Sequence, residues 1–190
     1  MDNFIHIHDT HLGKFNTVSG REINILNPTV ESIDEGDIGT GLANFCRFGG
    51  QLSRHYSVAQ HSILVMLLAP DHLKPAAILH DASEGYLGDV IKPLKVILGA
   101  IYGDIETRFT EVICGKYGVS LEDIKAIKPY DMQALEIEHA FLRTGSDVAW
   151  NAIWIANNMG FVSYDANPEI WKRRYLQYFY ELFPAFAPVS

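Results

Sequence analysis

Four side chains of the kinds that bind divalent metals lie in the central part of the sequence. They are His61, the contiguous pair His80 and Asp81, and Asp131. Taken singly, His61 is either a core histidine or a ligand, and Asp131 is equally a carboxylate that interacts with a helix dipole. Together they supply two imidazoles and two carboxylates on three successive predicted helices. Such a mixed nitrogen and oxygen set suits Mn, Co, Fe, Ni or Zn.

A further carboxylate, Glu84, follows His80 by four residues and Asp81 by three. On one continuous helix this spacing brings the three side chains to the same region of space. Four protein ligands on a six-coordinate ion leave positions for water and for a substrate oxygen. A carboxylate one turn away can orient that water or accept its proton. The spacing therefore predicts a metal centre at which water is activated beside Glu84.

The densest group of histidines is His6, His8 and His11, which lie together with Asp9. On a strand, His6 and His8 would share one face, but nothing in the sequence indicates a fixed set of ligands around them. A half-exposed strand near the terminus is the preferred interpretation of this group.

The elements that must position these residues are predicted to be helices that follow a small amount of β structure. In residues 1–28, the alternating segments Phe4–His8 and Glu22–Ile25 and the turn signal Ser19-Gly20 predict a short hairpin. From residue 34 onwards the apolar residues recur at helical spacing. Helix starts are predicted at Asp34, Ser57, Pro75, Asp104, Ser120, Pro129 and Asn167, and helix ends at Gly118 and Leu142. The predicted fold class is therefore mostly α.

The 190 residues are predicted to form a single domain. It would consist of a β appendage over residues 1–28, a motif-bearing helical core over residues 34–142 and a helical part over residues 150–190. The last helix carries an aromatic stripe that is either core or a contact between copies of the chain. Its residues are Trp171, Tyr175, Tyr178, Phe179 and Leu182.

Charge and composition restrict the class of partner. With 15 Lys and Arg against 23 Asp and Glu, the net charge of −8 disfavours duplex nucleic acid but permits a local basic pocket for a small anion. The longest apolar run, Ile63–Ala69, is too short to span a bilayer, and no signal-peptide pattern is present at the N-terminus. Cys46 and Cys114 lack zinc-like spacing, which fits a reducing compartment. We expect a cytoplasmic protein that binds neither membranes nor nucleic acid.

The order His…His-Asp…Asp, embedded in the segments Tyr56–Ser62 and Leu79–Asp89, resembles the HD-domain phosphohydrolases. It is similar to the YfbR-like 5′-deoxynucleotidase branch and to short HD proteins of phages and prophages, which include a dATP triphosphohydrolase. The resemblance covers about residues 17–140 and depends on the pattern His-Asp-x-x-Glu-x-x-x-Gly-Asp with an Arg-aromatic pair upstream. It implies an HD-type helical bundle that works in a bacterial or phage-infected cytosol.

The resemblance implies catalytic roles for the matching residues. Glu84 matches the carboxylate that positions or deprotonates the attacking water, and Asp89 matches a carboxylate near the scissile phosphate and the sugar 3′-hydroxyl. The metal, one of Mn, Co, Zn, Ni, Fe or Mg, would be bound by His61, His80, Asp81 and Asp131.

The resemblance also implies substrate contacts. Arg47 matches an arginine that grips phosphate, and Phe48 matches an aromatic residue that flanks the sugar or base, where the nucleotidases have Trp. Lys92 and Lys95 lie where further phosphate contacts could form, although a solvated helix start explains them equally well.

Several branches and functions remain distinguishable. Gly85 replaces the final Asp of the guanosine tetraphosphate hydrolases, and the Gly-Tyr-Pro segment of the cyclic-dinucleotide branch and the additional His of the dGTP triphosphohydrolases are missing. The expected substrate is a deoxynucleotide, hydrolysed either as a 5′-monophosphate or as a triphosphate at the α-phosphate, by a homo-oligomer of two or more chains. The alternatives are a non-catalytic nucleotide-sensing HD module and a helical interaction protein.

Overall fold

A computed structural model describes residues 13–144 and 167–188. Over these residues the protein is mostly helical, with a two-stranded antiparallel sheet at its N-terminal end. This confirms the predicted fold class at the level of secondary structure. Within the described part of the chain, none of the helices combines the length and the apolar character that crossing a membrane requires.

The small sheet confirms the predicted turn at Ser19-Gly20 and the predicted strand after it, whereas its first strand, Lys14–Asn16, was not predicted. Strands β1 (Lys14–Asn16) and β2 (Glu22–Asn24) pair with Phe15 opposite Ile23, and Ile23 is fully buried. The turn contains Gly20 at a φ of 85°, a left-handed conformation that glycine adopts without strain. The predicted segment Phe4–His8 and the cluster His6, His8, His11 and Asp9 lie outside the described residues.

The helices follow the hairpin along the chain. Their bounds are α1 (Glu35–Asn44), α2 (Val58–Leu68), α3 (Lys74–Leu79), α4 (Glu84–Leu87), α5 (Lys92–Leu98), α6 (Ala100–Tyr117), α7 (Leu121–Ala126), α8 (Lys128–Thr144) and α9 (Pro168–Leu182).

Side-chain caps explain where four of these helices begin. Asp34 accepts hydrogen bonds from two backbone N–H groups of α1, and Ser57 forms a capping box with Gln60 at the start of α2. The side chains of Ser120 and Asn167 each accept a hydrogen bond from a backbone N–H in the first turn of α7 and of α9. These four predicted starts are confirmed because a cap depends only on residues that are close in sequence.

Three predicted helix bounds are wrong. Helix α6 begins at Ala100, directly after Gly99 at a φ of 61°, so Asp104 lies inside the helix and does not cap it. Helix α8 starts at Lys128, before Pro129, and it continues beyond the predicted end to Thr144. The predicted end of α6 at Gly118 is confirmed, since Gly118 adopts the left-handed conformation with a φ of 70°.

Helix α2 lies at the centre of the core. It is buried from Val58 to Met66 and packs against α1, α3, α8 and α9. The aromatic stripe of α9 covers it, because Trp171, Tyr175 and Phe179 are fully buried within this chain. The hydroxyl of Tyr175 donates to the carbonyl of Ile78 at 3.0 Å. These residues of the stripe therefore belong to the core rather than to a contact between copies.

A close approach of backbones fixes α4 on α1. Gly41 of α1 faces Gly85 of α4, and a Cβ on Gly41 would overlap the carbonyl oxygen of Gly85. Because Gly85 directly follows Glu84, this contact determines where the Glu84 side chain starts.

We expect Gly41→Ala to lower the free energy of unfolding by about 2 kcal/mol, because the added methyl group must displace backbone rather than a mobile side chain. The matched control is Gly103→Ala inside α6, where a Cβ would meet no described atom within 4 Å. This control is expected to stabilise the protein by about 0.5 kcal/mol or more. Chemical denaturation of both variants tests the pair. Equal effects of the two substitutions would contradict the close packing of α1 on α4.

Candidate metal centre

Four acceptor atoms converge where α2, the segment after α3 and the first turn of α8 meet. His61 Nε2 lies 3.3 Å from His80 Nε2 and 3.2 Å from Asp131 Oδ1. Asp81 Oδ2 lies 3.5 Å from His61 Nε2 and 3.2 Å from His80 Nε2. One ligand atom from each of His61, His80 and Asp131 falls within 4.8 Å of the other two, so this group could hold a metal ion.

The opposite nitrogen of each imidazole fixes its tautomer. His61 Nδ1 lies 2.7 Å from Glu138 Oε1, and His80 Nδ1 lies 2.7 Å from the carbonyl oxygen of Ala77. A carboxylate and a carbonyl can only accept, so both Nδ1 atoms carry a proton, and in the neutral imidazoles the Nε2 atoms present lone pairs. The two Nε2 atoms and the two carboxylate oxygens beside them attract positive charge, either a proton on His61 or a bound cation. This donor set fits a divalent first-row metal.

The charges around the centre favour a bound cation. Burial opposes the ionised form of Asp81, but His80, His61 and Arg47 hold the pKa of Asp81 well below its usual value. Burial is likewise outweighed at Asp131, whose pKa is lowered by His61 and Lys128. Both carboxylates are therefore ionised at neutral pH and available as ligands.

His61 is fully buried, and burial and Arg47 both oppose its protonation. Glu138 and Asp131 overcome these effects and raise the pKa of His61 to about 9. The same carboxylates that attract a proton to His61 would attract a metal ion, whose binding would release that proton.

The helical spacing predicted for His80, Asp81 and Glu84 is wrong in detail. Helix α3 ends at Leu79, and α4 starts at Glu84 after a turn closed by a 2.9 Å hydrogen bond from the Ala82 N–H to the Leu79 carbonyl. The turn still brings the His80 and Asp81 side chains to His61. The charge of Asp81 also acts on Glu84, so these residues share one region although they do not lie on a single helix.

Glu84 is buried beside the metal-binding group and has one free oxygen. Its Oε1 accepts a 3.1 Å hydrogen bond from Lys95 Nζ, whereas its buried Oε2 has no partner among the described residues. Burial, together with the charges of Asp81 and Asp89, raises the pKa of Glu84 to about 8, although Lys95 opposes the shift. A carboxylate with this pKa can take up a proton near neutral pH.

Arg47 lies next to the metal-binding group, as the sequence predicts. Its guanidinium is 3.2 Å from Glu138 Oε2 and 3.7 Å from Asp81 Oδ2, and these carboxylates outweigh burial and raise its pKa. The following residue, Phe48, has a φ of 57°, a conformation that costs a non-glycine residue about 1 kcal/mol or more. The ring of Phe48 lies 5.4 Å from that of His139 on α8. The strained loop thus places an aromatic ring beside the guanidinium.

The remaining predicted site residues differ in how closely they approach the centre. Lys95 is half-buried and donates to Glu84 and, at 2.6 Å, to Glu106. Asp89 is partly buried, which raises its pKa, and its charge interacts with that of Arg47. Lys92 is exposed to solvent at the start of α5, as expected for a solvated helix start.

Glu138 is the site residue that sequence reasoning missed. It is fully buried on α8, and its carboxylate contacts Tyr56, His61 and Arg47. It lies seven residues after Asp131, two helical turns along the same face. This spacing is the only sequence signal that could have found it.

A cavity of about 490 Å³ borders the metal-binding group. Its walls include His80 and Asp81 together with Glu106 and Thr110 of α6 and Lys125 of α7. The volume is within the range of small-molecule sites. The cavity gives access to His80 and Asp81 from the side of α6.

Comparisons with other proteins place the chain in a family. No protein-family model matches the chain. It is 35% identical over 134 residues to YfdR of Escherichia coli strain K12, a match that covers 70% of this chain and 75% of YfdR. It is 38% identical over 111 residues to RCAP_rcc00048 of Rhodobacter capsulatus, covering 54% of this chain and 57% of that protein. The chain belongs to the same family as YfdR. Both relatives are named as uncharacterized proteins, so their names transfer no activity.

We expect metal-free protein to bind Mn²⁺ or Co²⁺. His80→Ala and Asp81→Asn should each lower the metal affinity by at least about tenfold, because removing even a residue that only hydrogen-bonds to a ligand costs roughly that much. Both side chains are partly accessible, so these variants disturb the core less than a change at His61. His72→Ala, on the exposed turn before α3, is the matched control and should bind metal normally. Titration calorimetry measures all four proteins. Wild-type affinity in both ligand variants would exclude this centre.

Proposed function

We propose that the chain is an HD-type, metal-dependent phosphohydrolase that acts on deoxynucleotides in the cytoplasm. The observation that carries the proposal is the arrangement of three chemical groups in one place. Acceptor atoms suited to a cation lie beside the unpartnered oxygen of Glu84 and the guanidinium of Arg47. The resemblance of the motifs to HD-domain phosphohydrolases supports the same assignment.

The metal-binding group and Glu84 have complementary tasks in this proposal. A divalent cation at the centre supplies Lewis acidity, which lowers the pKa of a bound water and offsets charge on the phosphoryl group. Glu84 Oε2 is free to accept the proton of the attacking water, because Lys95 occupies only Oε1. Burial keeps the pKa of Glu84 high enough for it to hold that proton and deliver it to the leaving group.

Arg47 is the group that fits a phosphate best. Its side chain is only 12% exposed, and it remains charged at any physiological pH. A guanidinium can donate two parallel hydrogen bonds to a phosphate, and its Nε has no partner among the described residues. Lys95 and Lys92 on α5 are the proposed further phosphate contacts. These local cations offset the net charge of −8 at the place where an anionic substrate binds.

The aromatic rings of Phe48 and His139 support a nucleotide as the substrate. Phe48 stands beside Arg47, and aromatic faces stack on nucleobases or pack against sugars. Both hydrolysis of a deoxynucleoside monophosphate and release of triphosphate from a deoxynucleoside triphosphate fit this arrangement. Asp89 is the proposed partner of the sugar 3′-hydroxyl.

Product analysis distinguishes the two reactions. Protein supplied with Mn²⁺ or Co²⁺ and a panel of deoxynucleoside mono- and triphosphates is expected to release either inorganic phosphate or intact triphosphate, measured by chromatography. Glu84→Gln keeps the size of the side chain but removes the base, so we expect metal to bind and turnover to fall by at least about a hundredfold.

The outcomes lead to different conclusions. Inorganic phosphate from monophosphates identifies a 5′-deoxynucleotidase, and intact triphosphate from a triphosphate identifies a triphosphohydrolase. Absence of turnover in metal-loaded wild-type protein would overturn the enzymatic proposal in favour of a nucleotide-sensing module.

Lys95 sets the pH at which Glu84 can act. Its positive charge lowers the pKa of Glu84, so Lys95→Met should raise that pKa above its present value of about 8. Because Glu84 must be deprotonated to accept a proton, we expect the acidic limb of the kcat/KM profile to move to higher pH. Lys95→Arg retains the charge and should keep the limb in place. A limb that stays fixed in Lys95→Met would show that Glu84 is not the group reported by the profile.

A further inference from the structure

We infer that Glu138 is a positioning residue that holds the cation site and the anion site in one geometry through the two oxygens of a single carboxylate. The inference deepens the proposed function and depends on it. It concerns how this chain's own residues prepare both sites, whichever nucleotide is bound.

The two oxygens of Glu138 have different partners. Oε1 accepts hydrogen bonds from His61 Nδ1 at 2.7 Å and from the Tyr56 hydroxyl at 3.0 Å. Oε2 accepts a hydrogen bond from a terminal nitrogen of Arg47 at 3.2 Å. One oxygen therefore serves the metal ligand and the other serves the phosphate-binding residue.

Because Glu138 is buried, its hydrogen bonds must replace those it would make to water. Glu138, His61 and Tyr56 are each fully buried, and a buried carboxylate is costly unless its hydrogen bonds are complete. Glu138 accepts hydrogen bonds from a guanidinium, an imidazole and a hydroxyl, a set of donors that suits an ionised carboxylate. Its charge fixes the Nδ1–H tautomer of His61, which leaves Nε2 free for a metal.

The same charge makes Glu138, rather than the metal ligand Asp81, the nearer counter-charge of Arg47. The guanidinium lies between Glu138 Oε2 at 3.2 Å and Asp81 Oδ2 at 3.7 Å. Without Glu138, Asp81 would be the nearer counter-charge, and a guanidinium drawn towards it competes with a cation for that oxygen. Glu138 thus stabilises both sites and also keeps them apart.

The split between the two oxygens makes Glu138→Gln informative. An amide has one acceptor, which we expect to remain with the two donors Tyr56 and His61. The NH₂ group then faces Arg47, where donor meets donor. Phosphate affinity should fall by about tenfold, the loss expected for one hydrogen bond to a charged group, whereas metal affinity changes little.

Glu138→Leu removes both acceptors and should weaken both sites. His61 is then free to adopt either tautomer, and metal affinity should fall by about 10–100-fold, in addition to the loss of phosphate affinity. The matched control is Tyr56→Phe, which removes the third hydrogen bond of Glu138 but leaves its contacts with His61 and Arg47. Both affinities should stay within about twofold of wild type in this variant.

The experiment measures three quantities for wild type and the three variants. They are Zn²⁺ affinity by competition with a chelating dye, inorganic phosphate affinity of the Mn²⁺-loaded protein by calorimetry, and the ring ¹⁵N shifts of His61 in the Zn²⁺-loaded protein. Circular dichroism confirms that each variant is folded. The shifts should report a protonated Nδ1 in all proteins except Glu138→Leu, a signature that a purely structural role would not change.

We expect Tyr56→Phe to keep both affinities and Glu138→Gln to lose phosphate affinity only. Glu138→Leu should lose both phosphate and metal affinity. Wild-type affinities in Glu138→Leu, or equal losses in Tyr56→Phe, would overturn the inference. If the pattern is found but wild-type protein hydrolyses no nucleotide, the proposed function fails and the positioning role stands. If nucleotides are hydrolysed but the pattern is missing, only the positioning role fails.

Discussion

The rest of the site is organised around the mutual repulsion of acceptor atoms. The Nε2 atoms of His61 and His80 lie only 3.3 Å apart, and one oxygen of Asp131 lies within reach of both. Such an arrangement is stable in a partly buried site only if positive charge occupies it. Both outer nitrogens of the imidazoles donate to fixed acceptors, so the histidines cannot relieve the repulsion by exchanging tautomers. The geometry therefore attracts positive charge, which either a proton on His61 or a bound cation supplies.

The surrounding charges form layers with alternating sign. Arg47 pairs with Asp81 on one side and with Glu138 on the other. The carboxylate of Glu138 also contacts His61. On the other side, Lys95 separates Glu84 from Glu106. The buried carboxylates Glu84 and Glu138 each have a cationic neighbour within hydrogen-bonding distance, which offsets the cost of desolvation. This arrangement explains how an acidic protein carries local cations, since the net charge acts at long range and the nearest groups decide the local potential.

Packing between helices fixes the positions of the site residues. Helix α2, buried along most of its length, fixes His61, and its contacts with α8 set the distance to Asp131 and Glu138. The Gly41–Gly85 contact brings the backbone of α4 against α1 and fixes the base of Glu84. The strained backbone at Phe48 directly follows Arg47 in the same loop. Strain at such a position is typical of functional loops.

The sequence alone determined the mostly helical class, four capped helix starts and the types of side chain in the candidate metal-binding group. Caps at Asp34, Ser57, Ser120 and Asn167 act within a few residues, and the types His61, His80, Asp81 and Asp131 suffice to indicate a metal. The start of α6 and the break between α3 and α4 were not predictable from local signals, because Gly99 and the turn at His80 are compatible with more than one backbone path. Only the tertiary structure decided the role of Glu138. A charged residue on a helix becomes a buried partner only when packing of α8 on α2 removes it from water and places it among donors, here Tyr56, His61 and Arg47.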